Sequence, residues 1–258
     1  MPTDFKPEAR ARIDATTRTI VEVRRGQIAA PSAPEAMHPV SIDEALAVQA
    51  AVTRELDEPV AGWKTALTPD KETLFAPIYR STVYSSGVTI VSPPRPMRSV
   101  EIEIGFILGR DIMPSEGPFD EKSARSAISH FFVGIEILQL RFSGPDPLPR
   151  YLNLADNMGN GGYIVGDQTP LPAKIAPPQK IVAEADGKRF WDGPGVHANG
   201  NLFIPVIAMM NIVGRHLGGL KRGQFITAGN LCNPPFAIPD GGAIKVTTEL
   251  GDVAIDIE

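Results

Sequence analysis

The chain has 258 residues, 43% of them hydrophobic and 21% charged, a balance typical of a folded protein with a substantial core. Its 25 basic and 30 acidic residues give a net charge of -5 without a basic cluster, so nothing indicates nucleic-acid or membrane binding. The single cysteine, Cys232, excludes an internal disulfide. With no long apolar run or leader-like N-terminus, we expect a cytoplasmic protein whose partners are small molecules.

The first sixty residues carry the pattern of two amphipathic helices. Residues 7–25 place apolar side chains at helical spacing among Arg and Glu, and Gly26 ends that pattern. After a linker rich in Pro and Ala, Ser41 begins a capping box that opens a second helix, which Pro59 ends. We therefore predict a helical N-terminal segment over residues 1–59.

From about residue 60 the chain changes to short apolar runs of strand length, bounded by glycine and proline. Two helices interrupt these runs, at residues 120–130 and 201–217. The predicted strands are residues 60–67, 87–91, 99–109, 131–140, 162–165, 180–185, 224–228, 243–249 and 252–257. Because few helices connect them, the pattern favours an α+β fold, a mixed and largely antiparallel β-rich sandwich or roll over residues 60–258, rather than a doubly wound parallel sheet.

The stretch 99–108 alternates strictly between two kinds of side chain, which predicts a strand with two unlike faces. Val100, Ile102 and their apolar successors point toward a core. Glu101 and Glu103 share the other face, about 7 Å apart along the strand, which is close enough for both carboxylates to bind one hard cation. A solvated sheet face is the alternative explanation of the same pattern.

Two further charged residues stand inside apolar runs of strand length. Burying the Glu136 carboxylate is costly, so it either pairs with a cation such as Arg141 or binds a metal ion. With Glu101 and Glu103 it would complete an all-oxygen site of the kind that Mg²⁺ or Mn²⁺ favours. Lys64 is either a snorkelling surface lysine or, beside a dication, a general base with a lowered pKa.

Polar loops supply the remaining candidates. Asp156 and Asn157 lie in a tract of turn-forming residues, where Asp156 would add a carboxylate to a pocket. His197 lies in a glycine-rich polar loop that leads into a helix. The sequence contains no dinucleotide-binding glycine motif, P-loop, zinc-protease motif or nucleophile elbow.

The order of these motifs resembles the fumarylacetoacetate hydrolase-like superfamily, specifically its branch of 2-keto-4-pentenoate hydratases and 4-oxalocrotonate decarboxylases. The resemblance covers most of residues 40–258. The matching motifs are Gly62-Trp63-Lys64 with Leu67-Thr68, Glu101-Ile102-Glu103 followed by Phe106-Ile107-Leu108-Gly109, Glu136 in the next core strand, and Ala155-Asp156-Asn157. Two carboxylates usual in the family are missing, since residues 74–79 contain no aspartate and Gln139-Leu140-Arg141 replaces a D-S-R motif.

The resemblance implies a lyase of aromatic catabolism that acts on a small 2-oxo acid. It further implies that Glu101, Glu103 and Glu136 bind Mg²⁺ or Mn²⁺ and that Lys64 transfers protons or orients the substrate. The expected reaction is hydration of a 2-hydroxydienoate. The alternatives are decarboxylation of a 4-oxalocrotonate-type diacid, hydrolysis of an acylpyruvate, and a family member that binds metal or ligand without turnover.

The resemblance and the polar loops also assign roles to four other residues. We expect a catalytic role for Asp156, and we expect Arg141, Asn157 and His197 to contact the substrate. We further expect a homo-oligomer, whose size the sequence does not fix.

Hydration ranks above decarboxylation because a diacid needs a cation for its second carboxylate. The candidates for that cation are Arg80, Arg141 and Arg150. Arg80 and Arg150 stand in loops where solvation is the simpler expectation, so no residue is a confident clamp for a distal carboxylate.

Overall fold

A computed structural model of the protein describes residues 4–91, 99–144, 147–237 and 242–258. In this part of the chain the α-helices are α1 (Pro7–Arg24), α2 (Ile42–Leu56), α3 (Glu121–Ala127), α4 (Arg150–Ala155) and α5 (Phe203–Ile212). The strands are β1 (Val60–Leu67), β2 (Thr73–Tyr79), β3 (Val83–Ser85), β4 (Thr89–Ile90), β5 (Ser99–Leu108), β6 (Ile128–Leu138), β7 (Asn160–Val165), β8 (Thr169–Pro170), β9 (Ile181–Ala185), β10 (Lys188–Gly193), β11 (Phe225–Thr227), β12 (Gly242–Thr248) and β13 (Gly251–Ile257).

The strands form two sheets. The larger has eight strands in the order β2-β1-β11-β5-β6-β7-β3, with β8 paired to β6, and the smaller has five in the order β10-β9-β12-β13-β4. Three neighbouring pairs, β1 with β11, β3 with β7 and β4 with β13, are parallel, whereas the long pairs such as β5 with β6 are antiparallel. This mixed arrangement with helices confirms the predicted α+β class.

One face of β5 forms the centre of the main core, as its alternation predicts. Val100, Ile102, Ile104, Phe106 and Leu108 are all buried in one hydrophobic cluster. Helix α5 covers this cluster, and the rings of Phe106 and Phe203 lie 4.8 Å apart between centroids. The opposite face of β5 is thereby fixed as the face that carries Glu101 and Glu103.

Aromatic rings stack over glycines on that opposite face of the larger sheet. Tyr163 lies across Gly134, and Phe132 lies across Gly105. The rings of Phe132 and Tyr163 meet edge to face, 6.0 Å apart between centroids. The glycines are needed because a Cβ at either position would collide with the ring above it.

Gly134→Ala is therefore expected to destabilise the fold by about 1–3 kcal/mol, since a buried ring would have to move to admit one methyl group. Gly193→Ala is the matched control, because its nearest atoms to a new Cβ lie 3.8 Å away. Urea unfolding of both variants measures the difference. Equal stability of the two variants would contradict close packing at Tyr163.

The N-terminal helices end close to the predicted residues. The Ser41 hydroxyl accepts a hydrogen bond from the Glu44 backbone N–H at 3.2 Å, while the Glu44 carboxylate bonds Arg12 and Val40. The predicted capping box is therefore formed from its Ser41 side only. Asp57 ends α2 in a left-handed conformation, with φ of 54°. The predicted domain boundary at residue 59 stays a prediction.

Helix α2 packs against α1 and α4 and shares a hydrophobic cluster with β2, and a buried glutamine–histidine pair holds α2, α4 and β2 together. Gln49 on α2 donates to the carbonyls of Phe75, at 3.2 Å, and Leu154, at 2.7 Å. Its side-chain oxygen lies 3.0 Å from Nε2 of His216, whose ring also packs against Trp63. Because an amide oxygen only accepts, Nε2 of His216 must carry the proton.

Among the described residues, none of the helices combines the length and the apolar character needed to span a membrane.

We expect the contribution of His216 to stability to fall as the pH drops from about 6.5 to about 4. Burial lowers the pKa of His216 from its ordinary 6.5 to about 4, so below 6.5 the unfolded chain binds a proton that the folded chain rejects. This contribution is on the order of 3 kcal/mol at the acid end of the window. It is measured by urea unfolding of the wild type and of His216→Gln across the window, since the difference between the two free energies of unfolding should shift in favour of the variant as the pH falls. A difference that does not change with pH would contradict a neutral, buried His216.

Candidate metal and substrate site

Three glutamates meet on one face of the larger sheet. Glu101 and Glu103 are two residues apart on β5, and Glu136 lies directly opposite Glu101 in the pairing of β5 with β6. One carboxylate oxygen from each residue lies within 4.8 Å of the others. That span is about twice a metal–oxygen distance of roughly 2.4 Å, so a single divalent ion fits between them.

Two of the three carboxylates are buried and the third is only partly exposed, so the solvated-face explanation is wrong. Glu136 is 0% exposed and Glu103 is 1% exposed, whereas Glu101 retains some contact with solvent. Burial raises the pKa of Glu136 to about 7, against the opposing effect of Lys64. Burial and the charges of Glu136 and Glu101 hold the pKa of Glu103 well above its ordinary value. The cluster therefore calls for a cation.

Lys64 on β1 is the cation that the chain itself supplies. Its Nζ lies 3.0 Å from Glu136 Oε2 and 3.8 Å from Glu101 Oε2, and it donates to the Met158 carbonyl at 3.0 Å. The residue is buried, so the snorkelling alternative is wrong. Burial by itself would lower the pKa of Lys64, but the charges of Glu136, Glu101 and Glu103 outweigh it and raise the pKa to about 12. The lowered pKa expected of Lys64 beside a bound dication stays a prediction.

Two residues of β7 orient the carboxylates. Asn160 Nδ2 donates to Glu136 Oε1 at 2.8 Å, and the Tyr163 hydroxyl donates to Glu103 Oε2 at 3.4 Å. Sequence analysis missed both residues. The strand register explains the position of Tyr163 beside the cluster. Glu136 on β6 lies between Glu101 on β5 and Tyr163 on β7, directly opposite each of them.

A cavity of about 750 Å³ opens onto the cluster, with Lys64, Glu101 and Glu103 in its lining. This volume suits a small organic molecule. Its other polar residues are Thr65, Ser99, Asn153, Asn199, Asn230, Asn233 and His197, and its apolar wall includes Leu67, Leu74, Leu138, Leu140, Leu148 and Met158. The lining therefore combines one charged patch with a neutral remainder.

His197 lies in this lining, but the backbone occupies both of its ring nitrogens. Nε2 lies 2.6 Å from the Ala228 carbonyl, which can only accept, and Nδ1 accepts from the Asn199 backbone N–H at 3.3 Å. Burial lowers the pKa of His197, in part against the Ala228 contact. The neutral ring thus ties its loop to the segment that follows β11, beside the cavity.

The other predicted site residues are not part of this lining. Arg141 and Asp156 are both buried and form a salt bridge of 2.5 Å, so the alternative pairing of Arg141 with Glu136 is wrong. Asn157 is also buried. Within the described residues none of the three lines the cavity, and their predicted catalytic and substrate-binding roles stay predictions.

Comparison with known proteins places the chain among enzymes that carry similar folds. No protein-family model matches the sequence. It is 26% identical over 224 residues, 80% of each chain, to a 2-keto-4-pentenoate hydratase of Paraburkholderia xenovorans (strain LB400). Its fold matches 4-oxalocrotonate decarboxylase from Pseudomonas putida G7, complexed with magnesium and adipate, with a TM-score of 0.83 at 16% identity over 96% of this chain and 98% of that one.

These likenesses support the resemblance of the chain to the fumarylacetoacetate hydrolase-like superfamily. A more distant likeness in fold is to fumarylpyruvate hydrolase from Pseudomonas aeruginosa in complex with Mn²⁺ and pyruvate, with a TM-score of 0.56 at 14% identity over 78% of this chain and 90% of that one. The superfamily resemblance inferred from the motifs is therefore confirmed, in the branch of the hydratases and decarboxylases.

Proposed function

We propose that the protein is a divalent-metal-dependent lyase for a small 2-oxo acid, with Glu101, Glu103 and Glu136 as ligands of Mg²⁺ or Mn²⁺. The donor set supports this assignment, because three carboxylates supply the hard oxygens that these ions prefer. Their charge supports it as well. Lys64 offsets one of the three clustered negative charges, two of which are buried, and a dication would balance the other two.

The arrangement supports a simple division of labour around the substrate. A divalent ion bound at the carboxylates would hold the 2-oxo acid and stabilise negative charge on its keto oxygen. Lys64 stands at the same wall of the cavity and can hold or deliver a proton at the bound substrate. His197 lacks a free ring nitrogen, because both of its nitrogens contact the backbone. Among the described lining residues other than the metal ligands, Lys64 is therefore the proton carrier.

The main support for hydration is the neutral character of the cavity lining away from the carboxylates. Among the described lining residues, Lys64 is the one Lys or Arg side chain. Arg141 is committed to Asp156, and Arg150 pairs with Asp70 at 3.0 Å on the surface. A substrate with one carboxylate fits this lining better than a diacid does. Hydration of a 2-hydroxydienoate is therefore the proposed reaction.

Decarboxylation is the second candidate, and the fold likeness favours it. The match covers 98% of the solved decarboxylase chain. That protein was complexed with adipate, which carries two carboxylates. The distinction between the two reactions thus depends on how the distal end of the substrate is held.

Two substrates decide between these reactions. The protein is incubated with Mg²⁺ and either 2-hydroxypenta-2,4-dienoate or 4-oxalocrotonate, while dienol absorbance and CO₂ release are followed. Loss of dienol absorbance with formation of a hydrated product supports hydration. Release of CO₂ from the diacid without hydration of the monoacid would replace it with decarboxylation. Inertness toward both, with Mg²⁺ bound, would favour a member that binds ligand without turnover.

A further inference from the structure

A strained turn lies directly beside the carboxylate cluster. Asn157 and Met158 both adopt left-handed backbone conformations, with φ of 52° and 50°. The Asn157 amide is also buried, and neither its nitrogen nor its oxygen has a hydrogen-bond partner among the residues that the structure describes. Two consecutive left-handed residues and an unpaired amide are costly, so the surroundings must hold this turn in place.

Arg141 provides that restraint by binding both ends of the turn. Its Nε and Nη2 donate to Asp156, at 2.5 Å to the carboxylate and 2.7 Å to the backbone carbonyl. Its Nη1 donates to the Asn160 backbone carbonyl at 2.8 Å, and its backbone N–H donates to the second carboxylate oxygen of Asp156 at 3.0 Å. One buried guanidinium thus fixes the positions on either side of the strained residues.

The restrained turn makes two contacts with the cluster. The Met158 carbonyl accepts the hydrogen bond from Lys64, and the Asn160 side chain donates to Glu136. We infer that Arg141 and Asp156 are positioning residues, which hold the turn so that Asn160 and Met158 set the geometry of Glu136 and Lys64. This inference rests on the metal site of the proposed function and differs from a direct role of either residue at the substrate.

A double-mutant cycle on Mn²⁺ affinity tests the inference without a substrate. The variants are Arg141→Lys, Asn160→Ala and the double variant, with Mn²⁺ affinity measured by calorimetry at a temperature where each is folded. Each single change should weaken Mn²⁺ binding by about tenfold or more, as for other partners that orient metal ligands. The double variant should lose little more than the worse single variant, because Arg141 acts through Asn160.

Arg12→Lys is the matched control, since Arg12 forms a two-pronged salt bridge with Glu44 between α1 and α2, outside the site. It should leave Mn²⁺ affinity unchanged. Wild-type Mn²⁺ affinity in Arg141→Lys, or fully additive losses in the double variant, would overturn the inference and leave the proposed function standing. Failure of the wild-type protein to bind Mn²⁺ would overturn the proposed metal site and this inference with it.

Asn157→Gly keeps the inference testable if Arg141→Lys does not fold. Glycine accepts the left-handed conformation freely and removes the unpaired amide, so the variant should melt no lower than wild type. The same freedom loosens the turn, and Mn²⁺ affinity should fall at least about threefold, short of the loss typical of direct ligand partners. Unchanged affinity in Asn157→Gly would show that the restraint on the turn is irrelevant to the cluster.

Discussion

Lys64→Met is expected to reduce turnover by about 10²–10⁴-fold, the range typical of losing a positioned acid or base. Metal affinity should stay the same or tighten, because the change removes a positive charge that lies 3.0 Å from one ligand, Glu136, and 3.8 Å from another, Glu101. Steady-state rates on the best 2-oxo acid and Mn²⁺ titrations measure the two quantities separately. This split between rate and affinity distinguishes proton transfer from metal ligation.

The same variant should be less stable without metal, because three clustered carboxylates, two of them buried, then lose their cation. Saturating Mg²⁺ should restore most of the lost melting temperature. Lys221→Met is the control, since Lys221 is half-exposed and pairs with Asp111 at the surface. Wild-type turnover in Lys64→Met would limit Lys64 to a structural role, and a collapse of metal affinity would mean that the lysine supports the ligands directly.

Local patterns in the sequence predicted those parts of the fold that a single strand or helix determines. The alternation in β5 predicted both its buried face and its glutamate face, because burial follows the period of the pleat. The ends of α1 and α2 were predicted to within a few residues because caps and prolines act on neighbouring residues. The helices predicted over residues 120–130 and 201–217 were wrong at their C-terminal ends, because α3 ends at Ala127, where β6 begins, and α5 ends at Ile212.

Features that depend on neighbouring strands escaped prediction. Strand β2 was missed, and Pro77 lies within it; the structure shows that β2 is an edge strand, where a missing N–H is tolerated. Helix α4 was also missed, since its six residues are too few for a periodic pattern.

In the candidate site, too, local features could be predicted and long-range contacts could not. The acidic residues and Lys64 could be named because charges within apolar strands are conspicuous. Their partners could not be named, because they are set by long-range pairing. Lys64 donates to the carbonyl of Met158, 94 residues away. Since every residue has a backbone carbonyl, the sequence does not indicate which one Lys64 contacts. The sequence suggested Glu136 as the partner of Arg141, whereas the actual partner, Asp156, depends on how the loop returns after β6.

Glu103→Gln should change stability in opposite directions with and without metal. In the metal-free protein, burial and the charges of Glu136 and Glu101 disfavour the Glu103 carboxylate, so a neutral amide of the same shape relieves the repulsion. The melting temperature in EDTA should rise by about 2–4 °C, the shift expected from about 1 kcal/mol in a chain of this size. The Gln oxygen can still accept from the Tyr163 hydroxyl, so that contact is kept.

With saturating Mg²⁺ the order should reverse, because the variant has lost one of three ligands and its affinity should fall about tenfold or more. Glu55→Gln, at an exposed position on α2, should change neither melting temperature. A lower melting temperature of Glu103→Gln in EDTA would mean that the buried carboxylate stabilises the metal-free fold. Equal stabilisation of variant and wild type by Mg²⁺ would remove Glu103 from the ligand set. A variant that melts above the wild type in EDTA but below it in Mg²⁺ is the specific sign of a fold that tolerates buried charge in order to bind a cation.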